Sequence, residues 1–343
     1  MVNNNIQIDE ERFRKEFDLL SQIGATDEGG VHRPTFSNAH LEARSWIRDK
    51  ALDAGLGFKV DQAGNHSLIL PCSYHDRPSL IIGSHLDSVP NGGRFDGALG
   101  VFAGLEVLRR IKEEGINLPI NLEVIDFTDE EGSLVSFLGS YALTGKLTDK
   151  ELENPRGGRT ALVDGLERAG LKESKILNAK RDLQKIAGYL ELHVEQSSKL
   201  EKANKDVGLV SSIAGIVFYN ITFLGKEDHA ATAPMDSRRD AGIGASAFSL
   251  AARQMVIEQF PTCYVNIGNM RYEPGSFNII PGKAKLSLEF RAPKAKVMDK
   301  LDEELLERAK QIAAQYGLGI EIDFLGERQP ALMSVGMQEI IEK

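Results

Sequence analysis

Apolar residues recur at helical spacing over residues 9–24, where Phe13, Phe17, Leu20 and Ile23 predict an amphipathic helix. A second helix is predicted over 39–56, closed by Gly55 and Gly57. The stretch FKVDQAGNHSLIL then reads as a hairpin with its turn at Ala63–Gly64–Asn65. SLIIGSH is an apolar run of strand length that ends in polar residues, and a glycine-rich loop follows from Asn91 to Gly100. Val101, Leu105, Leu108 and Ile111 stand at i, i+4, i+7 and i+10 of a helix, and a strand over 119–127 comes next. Residues 145–187 are polar, broken by Pro155 and Gly157–Gly158, and read as helices and loops of the same domain. In GYLELHVEQ, Leu190, Leu192 and Val194 alternate with Glu191, His193 and Glu195. That is a half-buried strand with His193 on its polar face.

Beyond about residue 212 the order changes to a strand (216–224), a helix (238–257) and a strand (262–270), then a strand (283–291), a helix (296–316) and a strand (318–324). Ala284, Leu286, Leu288 and Phe290 point one way, and Lys285, Ser287, Glu289 and Arg291 the other. This βαββαβ order is the ferredoxin-like split unit. Past Pro330 a further helix begins in MSVGMQEIIEK. The expected organisation is an α/β domain over 1–212 and 329–343, with the ferredoxin-like unit inserted at 213–328.

The length of 343 residues agrees with two domains. Acidic residues outnumber basic ones, 50 to 41, so nucleic acid and anionic membranes are not expected partners. Cys72 and Cys263 form no framework, which fits a reducing cytosol. The start, MVNNNIQIDEERF, has no signal-peptide core, and no apolar run approaches the ~20 residues that span a bilayer. The expectation is a cytoplasmic protein.

Candidate chemistry gathers between Gly83 and Phe137. His85 and Asp87 follow one apolar run; Glu130 and Glu131 follow the next. In an open α/β sheet, ligands bind just beyond the carboxyl ends of strands, so two acidic clusters on neighbouring strands can meet at one metal site. Singly these residues say little: Asp96–Gly97 is also a turn pair, and TDEEG is also a helix start. Together, His85, Asp96, Glu131 and His193 can supply the ligands of a dinuclear hydrolytic site, with Glu130 near enough to act on the attacking water. Asp87, two residues from His85, would orient the imidazole. With no thiolate in the set, Zn²⁺, Mn²⁺, Co²⁺ and Ni²⁺ all remain open. The chain carries no phosphate-binding G-x-x-x-x-G-K-[ST] loop and no G-x-S-x-G elbow.

The motifs GSHLDSVPNGGRFDGALGV, TDEEGS with GSYALTGKL, ELHVEQ, HAATAPMDSRRDA and NIIPG with LEFR resemble those of the M20 metallopeptidase-like amidases. Within that group they are similar to the hydantoinase/carbamoylase branch, which includes N-carbamoyl-L-amino-acid hydrolases, allantoate amidohydrolases and β-alanine synthases. The likeness runs from about residue 10 to residue 330. It implies a mixed-sheet catalytic domain that binds two divalent metal ions, and a smaller lid domain that forms a homodimer. By motif, His85 would hold one metal, Asp96 would bridge, Glu131 would hold the other, and His193 would complete one site. Glu130 would be the general base in cleavage of a linear C–N bond. Gln196, Asn278 and Arg291 would contact a small carboxylate substrate, with Arg291 clamping its carboxylate. His229 would stabilise the oxyanion from the partner subunit's lid. The sequence departs from the branch in three places: EEGSLVSF is about two residues short, Ser197 follows HVEQ, and Ala231 stands at a glycine position. The resemblance also implies a return segment after the lid with a final histidine ligand in a SGAGHDA-like motif, which these residues do not include. Two alternatives therefore stay open: a shortened, catalytically impaired homologue that binds ligand without turnover, and an M20 dipeptidase.

Overall fold

Residues 6–342 are described in the computed structural model, and they fold as two units divided between Ser198 and Lys199. In the first, α1 (Glu10–Gln22) starts at Asp9, whose side chain accepts the Arg12 N–H, and α2 (Asn38–Asp53) starts at Ser37 in the same way. The predicted hairpin forms from β1 (Gly57–Val60) and β2 (His66–Leu70). Next come β3 (Ser79–His85), α3 (Ala98–Glu113) and β4 (Asn121–Phe127). The polar stretch supplies α4 (Leu138–Thr144), α5 (Asp149–Glu153) and α6 (Arg159–Arg168) before β5 (Ile186–Leu190).

The sheet order is β1-β2-β4-β3-β5, antiparallel up to β4 and parallel from β4 to β5. It is a mixed sheet, as expected. Leu122 and Val124 of β4 face the core built by α1, α2 and α3, where Leu20, Ile47, Phe102 and Leu105 are buried. Ile125 and Phe127, one step out of phase, pack on the opposite side with Ile81 and Leu143. Each such fully buried side chain contributes on the order of 1.5–3 kcal/mol.

One strand is shorter than its pattern. The alternation through GYLELHVEQ predicts a strand past His193, but β5 stops at Leu190, its last partner being Ile82. β5 is an edge strand, so once it leaves β3 nothing else can pair it, and Leu192 is left exposed. His193 consequently lies on a loop.

The second unit holds α7 (Lys199–Ala203), β6 (Ser212–Ile213), β7 (Gly215–Leu224) and β8 (Asp228–His229). It continues with α8 (Ala241–Gln259), β9 (Tyr264–Glu273), β10 (Ile279–Ile280) and β11 (Lys283–Ala292). The chain closes with α9 (Ala295–Gln315), β12 (Gly319–Arg328), β13 (Ala331–Leu332) and α10 (Val335–Ile341). The four long strands form an antiparallel sheet, β12-β7-β11-β9, which is the ferredoxin-like arrangement. Phe223, Phe248, Leu286, Phe290 and Leu301 build its core against α8 and α9. The two-residue pairs β8–β10 and β6–β13 are too short for periodicity to reveal. No helix among the described residues is long and apolar enough to cross a membrane.

Candidate metal centre

β3 and β4 end side by side, with His85 opposite Phe127, so the residues just beyond them share one rim of the sheet. His85 is buried, and its Nδ1 lies 3.0 Å from the main-chain oxygen of Asp87. A carbonyl only accepts, so Nδ1 carries the proton and Nε2 keeps its lone pair. His193 repeats the arrangement, with Nδ1 2.8 Å from the Val194 oxygen and Nε2 3.1 Å from Asp96 Oδ1. The ligand atoms of His85, Asp96 and His193 all lie within 4.8 Å of one another.

Two nitrogen lone pairs and a carboxylate facing one another repel unless a proton or cation lies among them. An N,N,O donor set suits a divalent transition metal. The local field agrees: burial lowers the His85 pKa, but the carboxylates of Asp87, Glu131 and Glu130 outweigh it, and the net shift is upward. Gly97, at the start of α3, has φ +64°, and a Cβ there would lie 2.5 Å from the His85 ring. Only glycine lets the helix come this close to the imidazole.

Glu131 lies outside the group of three; burial raises its pKa, and so do the neighbouring carboxylates of Asp96 and Asp87. Glu130 accepts the Ser140 hydroxyl at 2.9 and 3.2 Å. Burial pushes the Glu130 carboxyl up to about 7, against the hydrogen bond from Ser140. A carboxylate of that pKa can both take and return a proton near neutrality. Gln196 reaches the same cluster, its Nε2 3.3 Å from Asp96 Oδ2.

Asp87 works differently from the expectation. Its carboxylate is 3.7 Å from His85 Nδ1, and the ring is met instead by the main-chain oxygen. The side chain accepts the N–H of Glu130 at 3.3 Å and of Glu131 at 3.0 Å. Fully buried, it takes the two donors that the acidic loop presents to it.

Other side chains hold that loop from beneath. Asp129, at φ +57°, accepts the Thr35 hydroxyl at 2.6 Å and the Leu134 N–H at 3.0 Å. Asn65 accepts the Thr128 N–H at 3.0 Å, and Arg44 donates to the Phe127 oxygen at 3.2 Å while pairing with Asp126 at 2.7 Å. Sequence reading assigned none of these. Ser140 lay in a quoted motif without a role; Thr35, Arg44 and Asn65 carry no spacing signal.

In the second unit, His229 pairs with Ile279 across β8–β10, and the Ala230 N–H donates to the Asn278 oxygen at 2.9 Å, so His229 and Asn278 are neighbours. His229 Nδ1 accepts the Ala231 N–H at 3.2 Å, leaving Nε2–H as an exposed donor. Arg291, on β11, is 54% exposed and bonds Glu289 through Nε at 2.8 Å.

The model of peptidase family M20/M25/M40 matches residues 81–333. The chain is 33% identical over 335 residues to an N-carbamoyl-L-amino acid amidohydrolase of Geobacillus stearothermophilus, covering 97% of this chain and 82% of that protein. It is 29% identical over 318 residues to an allantoate amidohydrolase of Bacillus subtilis, covering 92% and 76%. A solved amidase of the hydantoinase/carbamoylase family from Burkholderia phymatum superposes with a TM-score of 0.87 at 32% identity, covering 98% of this chain and 82% of the other. The chain belongs to peptidase family M20/M25/M40 and, within it, to the hydantoinase/carbamoylase amidases. It is in class a metal-dependent hydrolase of carbon–nitrogen bonds other than peptide bonds.

Proposed function

We propose that this chain hydrolyses the ureido C–N bond of an N-carbamoyl-L-amino acid or of allantoate, using two divalent ions drawn from Zn²⁺, Mn²⁺, Co²⁺ or Ni²⁺. The observation that carries the reading is the paired tautomer geometry: carbonyls fix Nδ1 of both His85 and His193, so each Nε2 is free to ligate beside Asp96. His85 would hold one ion and Glu131 the other, Asp96 would be shared between them, and His193 would complete one site. Bound there, the ions would polarise the carbonyl and acidify water. Glu130 takes the proton from the attacking water and returns it to the departing nitrogen, a shuttle suited to a carboxyl raised to about 7.

The substrate carboxylate goes to Arg291, whose guanidinium still has unshared N–H groups beside Glu289. Gln196 and Asn278 orient the ureido group, and His229 Nε2–H stabilises the oxyanion. The lid unit argues for a homodimer. His229 and Asn278 lie beyond the Lys283 end of β11, whereas Arg291 is eight residues along it, roughly 26 Å away at strand rise. One lid therefore cannot place both on one small substrate, but the lids of two subunits can. A row of exposed apolar residues on α8, Ile243, Leu250 and Ile257, offers surface for that association. Both cysteines are free thiols, in keeping with a cytoplasmic setting.

The test is ammonia release from a panel of N-carbamoyl-L-amino acids beside allantoate, with Mn²⁺ or Zn²⁺ supplied. We expect turnover that Glu130→Gln lowers by about 10²–10⁴-fold. Undiminished turnover in Glu130→Gln refutes the mechanism. Tight binding of these compounds by the metal-loaded protein without any turnover refutes the activity.

A further inference from the structure

The first unit contains a cavity of about 550 Å³ between α2, the β1–β2 hairpin and the chain around the end of α6. That volume is within the range of small-molecule sites. None of the residues of the metal centre lines it. Phe58, Leu41 and Leu171 give it an apolar wall.

Its charge is unlike that of the rest of the molecule. In a chain with nine more acidic than basic residues, this cavity is lined by five cations and one carboxylate, Asp61. Asp61 is already committed, accepting the N–H of Ala63 at 2.9 Å and of Asn65 at 3.0 Å, with Asn65 Nδ2 at 2.8 Å. Arg44 and Arg48 are neutralised by Asp126 and Asp49, each at 2.7 Å. The other three are not. Arg168 donates to the Phe36 carbonyl at 2.6 Å but meets no carboxylate, and neither Lys172 nor Lys175 has an ion pair among the described residues. Both lysines are exposed, although Glu167 and Asp164 lie close in sequence. Three uncompensated cations around one apolar-walled cavity form a site for negative charge.

We propose that this cavity binds a small organic phosphate, its phosphate taken by Arg168, Lys172 and Lys175 and its apolar body lying against Phe58 and Leu171. A phosphate monoester carries close to two negative charges at neutral pH and several acceptor oxygens, so it can engage three cations at once. A monocarboxylate can neutralise only one of them.

The experiment is calorimetric titration of the full chain, at about 0.15 M salt so that non-specific attraction is screened. The probes are adenosine monophosphate, adenosine and citrate. The expected result is saturable 1:1 binding of adenosine monophosphate, at least tenfold tighter than adenosine. Lys172→Glu/Lys175→Glu should weaken it at least tenfold. Should that variant unfold, Lys172→Ala/Lys175→Ala gives the same comparison with a smaller expected loss. Absence of saturation by adenosine monophosphate overturns the proposal. So does binding that the lysine variants leave unchanged, and so does tighter binding of citrate. The readout is independent of hydrolysis at the metal centre, so failure of the proposed amidohydrolase activity leaves it intact.

Discussion

The carboxylate of Asp87 accepts the backbone N–H of Glu131 at 3.0 Å while its second oxygen accepts that of Glu130 at 3.3 Å. A residue at the end of one strand thereby sets the position of two acids at the end of the next. Replacing Asp87 with alanine leaves both N–H groups unpaired in a buried setting, at about 1–3 kcal/mol each. We predict that Asp87→Ala lowers metal affinity by roughly 10–100-fold, as loss of a group supporting metal ligands does. Competition with a chelator measures this, and wild-type affinity in the variant would count against the arrangement.

Ser140 is the hydroxyl partner of Glu130, at 2.9 Å from one carboxylate oxygen. It restrains the carboxylate through that bond. Ser140→Ala is expected to lower kcat about tenfold with KM and metal content unchanged, a loss confined to proton transfer. Ser140→Thr, which keeps the hydroxyl, should restore most of it. An equal change in KM would instead indicate a general loosening of the loop.

The long strands and the two long helices of the second unit were legible in the sequence because each rests on a local pattern. SLIIGSH and the run before Asp126 are apolar because both faces of a central strand are buried, and the neighbouring acids stand out against them. The end of β5 was not legible, because it depends on where β3 stops offering a partner, which alternation does not encode. Nor was the true work of Asp87, since main-chain donors compete for its oxygens and the sequence does not show them. Arg44 and Thr35 hold the acidic loop from more than 80 residues away in the chain, beyond any motif.

Two histidines, the fully buried His40 and the half-buried His66, weaken the first unit in acid. His40 is fully buried and its pKa is held well below the ordinary value by burial and by Arg44. Burial, reinforced by Arg44, brings His66 down to about 2. Both remain neutral in the folded state, while the unfolded chain takes up protons below pH ~6.5. Their contribution is therefore complete above that pH and is lost as pH falls from there toward the folded values. Urea unfolding followed by Trp46, the single tryptophan, should show this, and His66→Gln should lessen the loss of stability below pH ~6.5. An unchanged loss would mean that His66 protonates freely in the folded protein.

The spacing along β11 gives a test that needs no structure of an assembly. If His229 of one subunit and Arg291 of the other serve the same site, His229→Ala and Arg291→Ala should each be nearly inactive alone. In a mixed dimer, one site receives both wild-type groups and the other receives both substitutions. Random reassociation makes half of the dimers mixed, each with one intact site of two, so activity should return to about a quarter of wild type. If instead one subunit supplied both groups to its own site, every site in every dimer would carry one defect. Mixing would then restore nothing, whatever the extent of exchange, and the two-lid site would be excluded.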